Sequence, residues 1–170
     1  MITNITLSTK EKYLLQDQKT HEEQCVLKYQ NYTNLAVDTE LKSIFKSNGQ
    51  KESEHLQTIN QLLNGQVPSM SGQGSSTSNQ QNQEQRNPMS SSQETNTQQS
   101  SNMTFKATDK DMCIDMLSTE KYVSGTYDTA IFEFKDAKVR DVLNHIQKEE
   151  QKHGEAIFAY MHSKGMYSAQ

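Results

Sequence analysis

The sequence predicts an all-α protein, a four-helix bundle made of two repeated antiparallel helical hairpins. Three observations predict this fold class. Apolar residues recur at helical spacing along four long stretches of the chain. A polar, low-complexity segment separates the second stretch from the third, and the two halves match in sequence when one is shifted by 98 positions.

The low-complexity segment covers residues 65–107. It consists almost entirely of Ser, Gln, Asn, Thr and Gly, interrupted by Pro68 and Pro88. Such a segment cannot bury enough apolar surface to offset the entropy lost on ordering, so we interpret it as a long disordered crossover. The blocks on either side, residues 8–64 and 108–165, are the two predicted hairpins of one bundle domain.

The first block, residues 8–64, contains two predicted helices. Ser8 and Thr9 are candidate N-caps for the first, which runs without proline or glycine as far as Asp38. Asp38 can cap the second helix, which ends with the block. Gly49 weakens this second helix locally, because glycine costs about 1 kcal/mol relative to alanine inside a helix.

The second block, residues 108–165, repeats this organisation. Thr108 or Asp109 can cap a third helix that reaches Phe134, and Asp136 can cap a fourth that ends at a glycine. Only short connections separate the helices within each block. Each block is therefore predicted to be an antiparallel hairpin.

Each predicted helix carries a stripe of residues spaced alternately three and four positions apart. This spacing is typical of helices packed in a bundle, so the members should face inward. Every stripe has a glutamate near its middle, and the second and fourth also have a histidine three residues later. The stripes are Leu15, Gln18, Glu22, Cys25, Tyr29, Tyr32 and Ala36; Leu41, Phe45, Asn48, Glu52, His55, Ile59 and Leu62; Cys113, Met116, Glu120, Val123, Tyr127, Ala130 and Phe134; and Val139, Leu143, Ile146, Glu150, His153, Ile157 and Tyr160.

The two halves also match position by position. One offset relates the glutamates and histidines of the first half to those of the second, and it extends to other residues of both helices. We interpret this agreement as an internal repeat that arose by hairpin duplication. The matched pairs are Glu22 and Glu120, Glu52 and Glu150, His55 and His153, Asp17 and Asp115, Tyr29 and Tyr127, Asp38 and Asp136, and Ile59 and Ile157.

The glutamates and histidines of the stripes predict a site for two divalent metal ions. Buried carboxylates without partners are costly and repel each other, and two divalent cations would cancel their charge. A Glu and a His three residues apart can share one ion, while Glu22 and Glu120 supply terminal or bridging oxygens. This ligand set is that of ferritin-like dinuclear bundles, and it favours iron or manganese over structural zinc. The predicted ligands are Glu22, Glu52, His55, Glu120, Glu150 and His153.

Other titratable residues near these positions have simpler interpretations. A single Glu-x-x-His match would most often be a solvated helix face. A register change of one residue would bring in His21, Glu23 or Glu149, but the repeat matches the first two with a threonine and a lysine. His145 and His162 have no counterpart in the first half, so we expect them at the surface or in packing.

The remaining stripe residues are interpreted mainly as packing residues. Tyr29 and Tyr127 are interpreted as core residues rather than redox tyrosines. Cys25 lies one turn from a predicted ligand, yet a small buried hydrophobe is its simpler role. Cys25 and Cys113 form no CxxC pair, which argues against a disulfide scaffold and a thiolate zinc site.

Charge and hydropathy exclude several function classes. A net charge of −4 gives no electrostatic footprint for nucleic acid. No apolar run approaches the roughly 20 residues that a membrane span needs. Residues 1–9 lack the pattern of a secretory signal, so we expect synthesis in the cytoplasm.

Several runs of the chain resemble the Coat F family of bacterial spore coat proteins. They are Leu14–Glu23, Thr119–Tyr122, Leu143–Gly154 and Gly165–Tyr167. The resemblance implies a ferritin-like fold, synthesis in the mother cell of a Gram-positive spore former, residence in the spore coat and other coat proteins as partners. The family is described as structural, so the resemblance implies no enzymatic activity.

Three functions fit these observations. The first is a structural spore coat protein whose bundle is held together by a metal pair. The second is a dinuclear iron or manganese enzyme that processes peroxide or oxygen. The third is a metal-free interaction scaffold whose glutamine-rich linker serves as a tether or cross-linking substrate. The sequence leaves open which metal is bound, whether hairpins pair within one chain or between chains, and whether the protein forms a homo-oligomer.

Overall fold

The computed structural model describes residues 3–68 and 107–167. These residues form four long helices, packed as two hairpins, and a small two-stranded sheet, which confirms the predicted all-α fold class. Most of the predicted linker lies outside the described residues. The elements are β1 (Thr3–Asn4), α1 (Thr9–Leu35), α2 (Thr39–Leu63), β2 (Gln66–Val67), α3 (Asp109–Glu133) and α4 (Ala137–Ser163).

The helices begin at the N-caps that the sequence indicates. Ser8 and Thr108 each form a capping box at the start of α1 and α3. Asp38 and Asp136 each accept hydrogen bonds from the backbone N–H groups two and three residues further on, at 2.8 and 3.3 Å in both cases. The repeat seen in sequence therefore extends to the local structure of the helix starts.

The hairpins pack with α1 against α3 and α2 against α4. Helices α1 and α3 are antiparallel, because Lys10 near the start of α1 pairs with Glu133 at the end of α3, and Lys28 pairs with Asp115 near the start of α3 at 2.8 Å. The end of α4 likewise meets the start of α2. These pairs of helices are thus antiparallel, and the chain must pass from one end of the bundle to the other between α2 and α3, a distance of roughly 38 Å for a 25-residue helix.

The two hairpins contact each other at their turns through matched carboxylates. Glu11 in the first turn of α1 accepts a hydrogen bond from the backbone N–H of Lys135, in the turn between α3 and α4, at 2.9 Å. Asp109, which the repeat matches with Glu11, accepts from the backbone N–H of Val37, between α1 and α2, at 2.8 Å. The bundle therefore has an approximate internal twofold relation.

A short sheet lies beside the end of α2. Strands β1 and β2 pair antiparallel, and the backbone N–H of Ile5 donates to the carbonyl of Gly65 at 2.8 Å. Gly65 has a φ of 76°, which favours glycine. The residues of β2 belong to the predicted linker, because a two-residue strand has no periodicity that the sequence could show. In the structure they pair with β1, and Val67 is buried in the core.

The predicted stripes form the core. Among the described residues, every stripe member is buried except Tyr32, which is half-buried and donates its hydroxyl to Asp115 at 2.8 Å. One apolar cluster, which includes Leu15 and Leu143, fills one part of the bundle. A second, which includes Phe45 and Met116, fills another. The glutamates and histidines of the stripes belong to neither cluster, so the interior has a polar region bordered by apolar packing.

Gly49 lies inside α2, which is continuous through it. A Cβ at this position would lie 2.9 Å from Cβ of Tyr29 on α1, closer than such atoms approach in real structures. The sequence predicts that this glycine weakens α2 locally. In the structure it permits α1 and α2 to approach each other closely.

The described helices are amphipathic elements of the bundle. None of those within residues 3–68 and 107–167 combines the length and the apolar character that crossing a bilayer requires.

Candidate metal centre

All six predicted ligands meet in the middle of the bundle. Each helix contributes one glutamate, and α2 and α4 each add a histidine one turn further on. The four glutamates are at most 2% exposed and both histidines are 4% exposed. The three–four stripes explain this placement, because they direct one face of each helix to the bundle axis.

The six side chains form two overlapping groups among the described residues. We define site 1 as Glu22, Glu52, His55 and Glu150, and site 2 as Glu52, Glu120, Glu150 and His153. Within each site, one nitrogen or oxygen atom per residue lies within 4.8 Å of the others. Glu52 and Glu150 belong to both sites, so they are positioned to bridge two ions. Glu22 and Glu120 are positioned as terminal ligands, a distinction that the sequence left open.

The histidines direct the same nitrogen towards the carboxylates. In site 1, Nδ1 of His55 lies 3.1 Å from Oε1 of Glu150, 3.4 Å from Oε2 of Glu52 and 3.7 Å from Oε2 of Glu22.

Site 2 repeats this arrangement around the matched histidine. Nδ1 of His153 lies 2.8 Å from Oε1 of Glu52, and 3.7 Å from Oε2 of both Glu120 and Glu150. The imidazole rings of His55 and His153 are stacked, with their centroids 5.7 Å apart.

The ligand atoms of the two sites are buried without hydrogen-bond partners among the described residues. The short approaches above do not meet the geometry of a hydrogen bond. Leaving this many buried polar atoms unsatisfied is costly, whereas two cations would engage them together. The residues therefore fit a metal pair. The atoms are Oε2 of Glu22, both carboxylate oxygens of Glu52 and of Glu150, Oε2 of Glu120, Nδ1 and Nε2 of His55, and Nδ1 of His153.

Two tyrosines hold the terminal glutamates. The hydroxyl of Tyr127 on α3 donates to Oε1 of Glu22 on α1, and the hydroxyl of Tyr29 on α1 donates to Oε1 of Glu120 on α3. Each terminal carboxylate therefore has one oxygen held by the other hairpin and one oxygen free for an ion. The sequence predicts core packing for these two tyrosines, and the repeat matches them with each other. It does not predict their hydrogen bonds to the glutamates.

The tyrosines differ in their further contacts. The side-chain amide of Asn48 donates to the hydroxyl of Tyr29 at 3.1 Å. The repeat places Ile146 at the position matching Asn48, so Tyr127 receives no equivalent amide from α4. Burial and the neighbouring glutamate raise the pKa of both tyrosines well above the usual range, so both hydroxyls remain proton donors.

The histidines also differ. Oε2 of Glu149 lies 3.9 Å from Nε2 of His55. The repeat places Lys51 at the position matching Glu149, so the surroundings of His153 differ in charge. The sequence leaves Glu149 as a residue that a one-residue register change would bring in. Glu149 borders site 1 without belonging to either ligand group.

The pKa values of the six groups shift in ways that balance charge. Burial raises the pKa of Glu22 and of Glu120 well above the usual range. Burial would also raise that of Glu150, but the adjacent histidines lower it to about 2. Burial would lower the pKa of His153, yet the surrounding glutamates raise it to about 11. Glu52 and His55 follow Glu150 and His153 in direction, with the same opposition between burial and neighbouring charge.

The remaining histidines and cysteines lie outside the centre. His21 packs edge-on against Tyr122 with ring centroids 5.4 Å apart, and His162 packs against Phe158. Cys25 and Cys113 are buried free thiols, and burial raises the pKa of each. The structure therefore brings none of these alternatives into the ligand groups.

Comparison with protein families matches residues 108–170 to the Coat F domain. The match covers α3 and α4 and confirms the resemblance for that part of the chain; for the first hairpin the resemblance remains a prediction. A comparison with curated proteins gave no match, and neither did a comparison with solved structures.

Proposed function

We propose that this chain, whose second hairpin is a Coat F domain, is a structural protein of the bacterial spore coat that uses two divalent metal ions, iron or manganese, to hold its bundle together. The Coat F domain supports the coat assignment. The observation that carries the metal assignment is the convergence of buried, unpartnered ligand atoms from six side chains on all four helices.

The proposed ligands would cross-link the hairpins. Site 1 combines Glu22, Glu52 and His55 of the first hairpin with Glu150 of the second. Site 2 combines Glu120, Glu150 and His153 of the second hairpin with Glu52 of the first. Two divalent ions supply four positive charges, which offset the four negative charges of the carboxylates. Because binding requires both hairpins to be in place, its free energy would add to that of folding.

A thermal melt with and without chelator tests this role. The metal-loaded protein should unfold at a higher temperature than protein stripped by chelator, and readdition of iron or manganese should restore the difference. The double variant Glu52→Ala with Glu150→Ala should melt at one temperature in both conditions. Equal melting temperatures of loaded and stripped wild-type protein would contradict a structural role for the metal.

A second candidate is a redox enzyme that processes peroxide or oxygen at the same centre. A groove between α3 and α4, with a volume of about 510 Å³, is lined by Glu120 and Glu150 and favours this candidate. Bound iron or manganese supplies redox chemistry, and six protein side chains leave coordination positions for a small ligand. Peroxide decay with metal-loaded protein tests the activity. Decay that persists in Glu52→Ala with Glu150→Ala would exclude this centre.

The proposed location is the spore coat, after synthesis in the mother-cell cytoplasm, with other coat proteins as partners. The proposed role of the linker as a tether or cross-linking substrate lies outside the described residues. Fractionation of spores with an antibody to this chain tests the location. Recovery with the spore core rather than with extracted coat material would contradict it.

A further inference from the structure

The two hairpins are not equivalent on their outer faces. The groove between α3 and α4 is lined by Leu117, Glu120, Glu150 and Gly154 along its inner part. Both glutamates belong to site 2, and Glu120 belongs to that site alone. Both residues are at most 2% exposed, so this groove ends against the wall that they form beside site 2.

Gly154 keeps the groove open. A Cβ built on Gly154 would lie 3.6 Å from Cδ1 of Leu117, at ordinary van der Waals distance, so any larger side chain there would extend into the space beside Leu117. The repeat places Leu56, which is partly buried, at the matching position of α2. The first hairpin thus has a leucine where the second has none.

The first hairpin has a cleft of its own with a different lining. A cleft between α1 and α2 has a volume of about 520 Å³ and is lined by Tyr29, Phe45 and Gly49. Within the described part of the chain, none of the six proposed ligands lines it. The two clefts therefore differ in kind, because the one between α3 and α4 includes metal ligands in its wall.

The outer part of the α3–α4 groove has an aromatic wall and a polar one. Phe158 and Tyr167 pack edge-on with ring centroids 5.1 Å apart, and both are more than a third exposed. Lys121 and Glu155 line the same groove. The groove surface is mainly apolar, with Lys121 and Glu155 as charged groups in its outer part, and it leaves room for a small molecule.

We infer that the α3–α4 groove is the route by which small, peroxide-sized ligands would reach an ion bound beside Glu120 and Glu150. The inference rests on the proposed dinuclear centre. Gly154 keeps this groove open, whereas, among the described residues, none of the six proposed ligands lines the α1–α2 cleft.

Azide binding to the iron-loaded protein, oxidised to the ferric state with ferricyanide, tests the route, with azide as a small anionic probe of open coordination positions. Wild-type protein should show an azide-dependent charge-transfer absorption band. Gly154→Leu, which reproduces the residue at position 56, should lose the band at azide concentrations that saturate the wild type. Leu117→Ala, which widens the groove, should form the band faster than the wild type after azide is added.

Two controls separate the groove from other effects. Gly154→Ala and Gly125→Ala each gain helix propensity without filling the groove, since a Cβ at Gly154 meets Leu117 only at the ordinary contact distance of 3.6 Å and a Cβ at Gly125 meets nothing within 4 Å. Both should bind azide as the wild type does. Iron content and circular dichroism of Gly154→Leu establish that it is folded and loaded.

The outcomes distinguish this inference from the proposed function. If Gly154→Leu carries two irons and binds azide like the wild type, the route is wrong and the metal centre stands. If no variant, wild type included, binds iron, both the route and the centre are wrong.

Discussion

Hydrogen bonds from two tyrosines position two glutamates of the proposed metal centre. Tyr29 and Tyr127 each hold one oxygen of a terminal glutamate that lies on the other hairpin. Groups that hydrogen-bond a metal ligand fix its orientation, and losing one typically lowers metal affinity by roughly 10- to 100-fold. The tyrosines therefore set the position of the free oxygens of Glu22 and Glu120.

We expect Tyr127→Phe to weaken metal binding by roughly 10- to 100-fold. Within the described structure, Glu22 then loses the only hydroxyl that donates to its Oε1 atom. Tyr29→Phe should weaken site 2 in the same way. Tyr32→Phe is the matched control, since its hydroxyl bonds Asp115 instead of a ligand. Competition with a chromophoric chelator measures the affinity. Equal losses in all three variants would show that the hydroxyls act on stability rather than on the ligands.

The charge balance within the six groups predicts how pH acts on the metal-free protein. The pKa of His153 is raised to about 11 from an ordinary value near 6.5, and those of His55, Glu22 and Glu120 are raised as well. A group with a raised pKa in the folded state stabilises the fold fully below its unfolded pKa and loses this contribution as pH rises. The metal-free protein should therefore lose stability between about pH 6.5 and 11.

Metal loading should reverse this trend, because ions displace protons from the same groups. Loading at pH 7 should release roughly four protons per two ions if both histidines and both terminal glutamates are protonated beforehand. Urea unfolding at several pH values and proton release in weakly buffered solution measure the two effects. A metal-free protein whose stability rises from pH 6.5 to 9 would contradict the assigned shifts.

At the scale of the helices, close approach of α1 and α2 depends on one glycine. A Cβ at Gly49 would lie 2.9 Å from Cβ of Tyr29, and that carbon is anchored to the backbone of α1. The two helices would have to separate, and Tyr29 would move relative to Glu120.

Gly49→Ala should therefore lower the free energy of unfolding by about 1–3 kcal/mol, the usual cost of overpacking, despite the gain in helix propensity. Gly125→Ala, in open space on α3, should raise it by up to about 1 kcal/mol. Chemical denaturation of both variants makes the comparison. Stabilisation by Gly49→Ala equal to that of Gly125→Ala would refute the contact.

The elements differ in how far the sequence could predict them. Caps such as Asp38 and Asp136 and the three–four stripes are local signals, so the helices and their inward faces followed from them. The pairing of β1 with β2, the contact of Gly49 with Tyr29, and the groove beside Gly154 depend on which elements meet in space. No local pattern encodes such contacts, so the structure was needed to find them.

The candidate site divides in the same way. The repeat and the stripes identified all six side chains that the structure brings together, but they did not distinguish the shared glutamates, Glu52 and Glu150, from the terminal ones. That distinction depends on how the hairpins face each other. Asn48 lies beside Tyr29 and Glu149 beside His55, and neither residue is repeated in the other half of the chain. The repeat therefore could not predict these differences between the two sites.

For the whole molecule, the metal centre is proposed as the main link between two hairpins of similar sequence. Apolar clusters and matched contacts at the turns also join them, as with Glu11 and Asp109. The proposed centre would give each ion ligands from both hairpins, and without ions its buried carboxylates need protons to offset their charge. The stability of the bundle should therefore depend on metal supply.

Metal content by elemental mass spectrometry tests the central claim most directly, using full-length protein expressed with iron and manganese both supplied. The account predicts about two ions per chain in the wild type and their loss from a folded Glu52→Ala, Glu150→Ala double variant, which removes both shared ligands. A folded helical wild-type protein without bound metal, or a double variant that retains both ions, would contradict it.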